Sequence, residues 1–188
     1  PIWIHTKDAK RLGVDNGDLL KITTEIGWFV DKVWVTEAIK PGVVACSHHI
    51  GRWRRQQDAG NRFMSNTVDI KNMGDGKWKM ETVSGVEPWE SNDPDTNRVW
   101  WRDGGVHQNI THATNPDPIS GAHCWLQKVS ISKPESGEKY GDVFVDTNKS
   151  FEHFKKWNAW AKDRETHPDG LRRPLWMGRP LTPQKERS

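Results

Sequence analysis

The metal-ligating side chains of this sequence fall into two short groups. Cys46, His48 and His49 lie in the run Cys46-Ser47-His48-His49-Ile50-Gly51-Arg52-Trp53, and His123 and Cys124 are adjacent. Thiolate and imidazole are the usual zinc ligands, so these five residues are the candidates for a metal site. Their spacing, Cys-x-His-His and His-Cys, is not the C-x₂-C type of common zinc sites, which counts against zinc. On spacing alone, His48 and His49 read better as groups that cap a strand end or bond a backbone carbonyl. Gly104-Gly105 is a different signal, because paired glycines let backbone approach a ligand or bend sharply. No nucleophile motif is present: there is no Gly-x-Ser-x-Gly, no P-loop and no Gly-x-Gly-x-x-Gly. Nor is there a cysteine cluster to hold an iron–sulfur centre.

The elements that must position these groups are mostly short and extended. Trp3-Ile4 reads as the end of a strand that enters a short helix. Thr6 is the expected N-cap of that helix, Ala9 and Leu12 its apolar positions, and Gly13 its left-handed stop. Asp15-Asn16-Gly17-Asp18 has tight-turn chemistry. Leu19 to Glu25 alternates, with Leu20, Ile22 and Thr24 on one side. Ile26-Gly27 turns the chain, and Trp28 to Val35 returns with Phe29, Val33 and Val35 on one face. Pro41-Gly42 is another break, and Val43-Val44-Ala45 is a short strand that delivers the polar run 46–53.

Residues 54–97 are polar and rich in Gly and Asn. They read as an insertion with little regular structure, apart from the alternating segment Asn66 to Ile70. Trp125 to Ser132 alternates as a closing strand, and Asp142 to Val145 is one more short strand. Residues 150–165 form the clearest helix. Ser150 is its expected N-cap, and Phe151, Phe154, Trp157 and Ala161 make one broad apolar face. The tail beyond His167 is proline-rich and reads as extended.

Composition narrows the function classes. The 188 residues suffice for one domain with a sizeable core, and a net charge of +3 is too weak a field to argue for nucleic acid. A basic reading through Arg52, Arg54, Arg55, Arg62, Arg172 and Arg173 with stacking tryptophans is therefore the weakest of the alternatives. No apolar run approaches the length of a membrane span. Twelve tryptophans in a chain only 34% hydrophobic leave two readings open, a tryptophan-rich core or tryptophans that face a partner or a flat cofactor.

Two stretches carry a family resemblance. DAKRLGVDNGDLLKITTEIGWFVDKVWVTEAIKPGVVACSHHIGRW (8–53) and GGVHQNITHATNPDPISGAHCWLQKVSIS (104–132) resemble, in that order, the C-terminal domain of the dimethyl sulfoxide reductase family of molybdenum and tungsten bis-pterin oxidoreductases. The resemblance covers roughly residues 1–53 and 98–133. It implies a mostly β fold, a double-psi β-barrel whose first strand is missing, with loop insertions and a C-terminal α-helix. The barrel would span residues 1–133, with its insertion at 54–97, and residues 134–188 would be a C-terminal extension. The strand that the family usually has ahead of this point implies a fragment or a split subunit.

The same resemblance implies a site and its partners. The family's Asn and the loop around it bond the pterin dinucleotide, which maps here to Asn109 with His107 and Gln108, and to Ser120-Gly121 at the next loop. The place where the family's domain leans over a pterin maps to His48, His49, Gly51, Arg52 and Trp53. The chemistry is coherent. Amides can meet a pterin or guanine edge as donor and acceptor, Arg, Ser and backbone N–H groups suit a diphosphate, and Trp or His can stack on a heterocycle. The implied cofactor is bis-molybdopterin guanine dinucleotide with Mo or W. The metal ligand, and any iron–sulfur cluster, would lie in the missing part of the catalytic polypeptide or in a partner. The expected partners are the remaining catalytic domains or chains and an iron–sulfur electron-transfer subunit, with no nucleic acid. The rival reading is a non-catalytic double-psi barrel interaction module, because fold does not determine function. Substrate, metal and compartment stay open, since any export signal would lie upstream.

Overall fold

The computed structural model describes residues 1–48, 53–55, 68–83, 86–88, 105–116 and 122–162, with backbone only at 53–55, 86–88, 158 and 160–162. Its architecture is mostly β, an open mixed sheet with few helices. The chain begins with strand β1 (Ile2–His5), as Trp3-Ile4 predicts, and runs into helix α1 (Thr6–Leu12). Strands β2 (Leu19–Thr23) and β3 (Gly27–Thr36) form the expected hairpin, paired antiparallel from Leu19↔Lys32 to Thr23↔Trp28. β3 is long enough to serve several partners. Its first part also pairs with β10 (Val143–Asp146), and its second part pairs in parallel with β1, Ile2↔Val33 through His5↔Thr36. The short β4 (Val44–Ala45) lies antiparallel to β1.

Inward positions of these strands make the core. Ile2, Ile4, Leu20 and Val33 are fully buried, with Ala9, Val14, Ile22, Phe29, Val106 and Val143 packed among them. Each such aliphatic side chain removed from water contributes roughly 1.5–3 kcal/mol, which is why this alternation dictates the register. A second, smaller cluster of Ile26, Ala113 and Val145 is covered by Trp78 and Ile110.

The start of α1 corrects one expectation. His5, not Thr6, is the N-cap: its Nδ1 accepts from the Lys7 N–H at 3.0 Å, while the Thr6 hydroxyl donates to Glu37 at 2.5 Å. An imidazole with an unprotonated nitrogen supplies the same acceptor as a Ser or Asp oxygen, so a cap rule based on residue type misses it. Gly13 does end the helix in the left-handed region (φ 64°).

Residues 54–97 hold more regular structure than expected. Strands β6 (Val68–Gly74) and β7 (Lys77–Thr82) form a hairpin, and β7 pairs with β10, so the hairpin extends the main sheet. Its tip, Gly74-Asp75-Gly76, is left-handed at all three residues (φ 83°, 50° and 73°). The alternating segment that ends at Ile70 overlaps the start of β6, but β6 is exposed at every position after Val68, so the alternation there marks a strand without a buried face. Strands β5 (Trp53–Arg55) and β8 (Val86–Pro88) pair as a separate two-stranded ribbon.

The C-terminal elements shift as well. Of the segment 125–132 only Ser130–Ser132 is a strand (β9), paired with β2. Helix α2 (Thr147–Lys162) begins ahead of Ser150, because the Asp146 carboxylate accepts from the N–H groups of Asn148 (3.1 Å) and Lys149 (3.3 Å). Its packed face is also different: His153 and Trp157 are half-buried, whereas Phe151 and Phe154 are exposed. Among the described residues, no helix is long and apolar enough to cross a membrane.

Candidate functional site

The polar loop after β4 and a short 3₁₀ turn, Gln108–Thr111, are 61 residues apart in sequence and are tied together directly. The Gln108 amide, 5% exposed, donates to the Ser47 carbonyl. The Asn109 amide donates to the His48 carbonyl at 3.1 Å. Thr111 anchors the turn from beneath. It is fully buried, its hydroxyl donates to the Gln108 carbonyl at 2.7 Å, and its own carbonyl accepts from Thr24 Oγ1 at 2.7 Å. Thr24 sits in the β2–β3 turn, so the hairpin at the centre of the sheet sets the height of the 3₁₀ turn.

Beside this bridge lies a cluster of aromatic rings centred on Trp125. The His48 ring stacks on it with centroids 5.0 Å apart and an interplanar angle of 21°. His123 and His112 meet it edge-on at 4.5 and 5.4 Å. Gln127 Nε2 lies 3.1 Å from His112 Nδ1, which orients that ring. Burial lowers the His112 pKa, helped by the nearby His123, and burial also lowers that of His107, so both favour the neutral form. Trp125 remains 48% exposed. A flat, half-exposed indole flanked by imidazoles is a surface on which a planar heterocycle can stack.

The sequence-derived candidates divide as follows. His48, Gln108 and Asn109 are brought together, and His107 precedes them at the start of the 3₁₀ turn. His49, Gly51, Arg52, Ser120 and Gly121 lie outside the described residues, and of Trp53 only the backbone is described, opposite Pro88. By sequence pattern Trp125 and Gln127 are members of a strand and His112 is a surface residue, yet the fold gathers all three beside His48. The available signal is an aromatic residue directly after the His123-Cys124 pair.

The zinc reading gains no support. Among the described residues, no group of three or more His, Cys, Asp or Glu side chains is arranged to hold a metal ion. Burial, with the Asp31 charge, pushes the Cys46 thiol up to about 12, so it stays a neutral, poorly ligating thiol at ordinary pH. Besides the imidazole nitrogens, the site offers amides, carbonyls and ring faces, groups that can meet an organic heterocycle.

Comparisons with known proteins agree with this chemistry. Residues 1–77 match the family described as "Molydopterin dinucleotide binding domain". Over 65 residues, 28% of this chain, the sequence is 37% identical to a selenate reductase polypeptide of Mesobacillus selenatarsenatis, covering 6% of that protein. Over 44 residues, 23% of this chain, it is 41% identical to the molybdopterin-containing subunit of the arsenate respiratory reductase of Chrysiogenes arsenatis, covering 5% of that protein. The match thus spans only a small share of the length of these relatives. No solved structure matches the chain.

Proposed function

From a chain whose residues 1–77 are a molybdopterin dinucleotide-binding domain of the dimethyl sulfoxide reductase type, we propose that it serves as the cofactor-capping part of an oxidoreductase catalytic subunit. The observation that carries this reading is the bridge from Gln108 and Asn109 to the carbonyls of Ser47 and His48. It joins the matched N-terminal region to the second segment of the resemblance and makes one polar rim of the two. In this proposal the open sheet described above is part of the double-psi barrel, with β10 built into it and α2 packed on it as the extension.

The residues present would hold the group by its organic part. Gln108 and Asn109 each commit one amide N–H to the chain, so each keeps a second N–H and a carbonyl oxygen that could meet the donors and acceptors of a pterin or guanine edge. Trp125 and His48 offer ring faces, and the neutral imidazoles of His107 and His112 add no charge to the rim. When bound, the bis-pterin guanine dinucleotide and its molybdenum or tungsten supply the redox chemistry. This chain orients the dinucleotide and shields it from water. The metal ligand, any iron–sulfur cluster and the electron-transfer subunit belong to other parts of the assembly.

The test is elemental analysis of the native preparation with its co-purifying chains, together with an assay for GMP released by acid. Near-stoichiometric molybdenum or tungsten with GMP is the expected result, and Asn109→Ala should lower both in parallel. A well-folded native complex with neither would overturn the proposal and leave an interaction module.

A further inference from the structure

One apolar row of the main sheet stops at an open edge. Phe29 on β3 lies opposite Val143 on β10, Val143 opposite Met80 on β7, and Met80 opposite Ile70 on β6. Opposite residues of paired strands share a face, so these side chains form one line across four strands. Burial fades along it: Phe29 is 4% exposed, Val143 0%, Met80 half-buried and Ile70 59%. β6 ends the sheet, and among the described residues it pairs with β7 alone. Its other side offers backbone N–H and C=O groups to a further strand.

The opposite face of β6 carries charges that β7 does not balance. Lys71 and Lys79 both pair with Glu81, yet Lys71 lies opposite Lys79 and Asp69 lies opposite Glu81. Like charges directly opposite destabilise a sheet. Among the described residues, Asp69 has no ion-pair partner of its own. A second β6 placed antiparallel about Ile70 answers both faces at once. In that register Ile70 meets its counterpart, which continues the apolar row, and Asp69 of each copy meets Lys71 of the other. Centring the pair on Asp69 or Lys71 sets like charges together, and a one-residue slip sets Ile70 opposite a charge. We propose that β6 is a dimer edge, at which two copies of this chain join their sheets antiparallel about Ile70 with reciprocal Asp69–Lys71 pairs. The contact is isologous, so each favourable pair occurs twice. It is independent of the polar rim, which other loops carry.

Analytical ultracentrifugation of the native preparation with its co-purifying chains, over a dilution series, tests this. Particles holding two copies of this chain are expected. Asp69→Lys and Lys71→Asp should each weaken pairing roughly tenfold or more, because each turns two attractive pairs into two repulsive ones. An equal mixture of the two variants should pair again, since the two lysines of one then face the two carboxylates of the other. Lys71→Asp also loses the contact to Glu81. If it fails to fold, Ile70→Cys, at an exposed position, carries the test: mild oxidation should join two copies through residue 70, whereas Met73→Cys should leave them separate. Native particles holding a single copy, whether the edge is free or covered by another chain, would overturn the dimer. So would variants that pair as well as the wild type, a mixture that stays apart, or equal cross-linking at both cysteine positions.

Discussion

Strand β2 and helix α2 both carry apolar residues at the spacing their element demands, yet the fold treats them oppositely. Leu20 and Ile22 on β2 are 0% and 2% exposed, whereas Phe151 and Phe154 on α2 are 56% and 38% exposed. β2 is held by burial. α2 is held by polar contacts: Asp146 at its first turn, Asn148 Nδ2 donating to the Asp75 carbonyl at 2.7 Å, and the His153 and Trp157 contacts to the 114–116 loop. Apolar burial is insensitive to protons and salt, while charge-bearing hydrogen bonds respond to both. Regularity of pattern therefore indicates which element forms. It does not indicate what holds that element to the rest.

The comparison can be broken most forcefully in the core. Leu20→Ala should cost roughly 3 kcal/mol and shift the urea midpoint of the whole molecule, because a fully buried leucine leaves a cavity. A loss below about 1 kcal/mol would mean that this strand is not the centre of stability. A smaller effect is expected from Asp146→Ala, about 1 kcal/mol by the usual loss of a helix cap. Hydrogen exchange should place that loss in α2 and leave β2 untouched. Equal loosening of β2 would show that the two regions unfold as one.

The smallest effect concerns the hairpin. Lys71, then Lys79, hydrogen-bond Glu81 and hold its carboxyl down at about 2. A depressed carboxylate contributes stability above its ordinary value and loses it as pH falls, here from about 4.5 towards 2. Because the Glu81 side chain is a third exposed, Glu81→Gln should cost less than about 1 kcal/mol at neutral pH and flatten the acid limb of a thermal-melt profile between those values. An acid limb identical to wild type would remove the pair from the account of stability.

What could be read from residues follows the same division. The β2–β3 hairpin is visible in the sequence because aliphatic alternation has one cheap solution, a half-buried strand. Gly13 is visible because an L side chain resists a φ of 64°. The β6–β7 hairpin is visible only at the alternating segment that ends at Ile70, because β6 buries no side chain after Val68, and it holds its place through β10 instead. Residue type misplaces the helix caps, since His5 and Asp146 do the work expected of Thr6 and Ser150. In the site, Gln108 and Asn109 are legible as polar groups through their resemblance to a family segment. That their donors face Ser47 and His48 is not, because those partners are backbone carbonyls that no side-chain pattern encodes.

By itself, the sequence showed the strands and inward faces of β2 and β3, which rest on hydrophobic periodicity acting over a few residues. The mostly β class and a molybdopterin cofactor came from resemblance to a family, with which the match of residues 1–77 agrees. Only the tertiary structure decided that α2 leaves Phe151 and Phe154 exposed, that Trp125 gathers His48, His112 and His123, and that two loops share one rim. Those outcomes depend on which carbonyls and rings meet across long separations in the chain. Such meetings are selected by the packing of the whole sheet and not by any one segment.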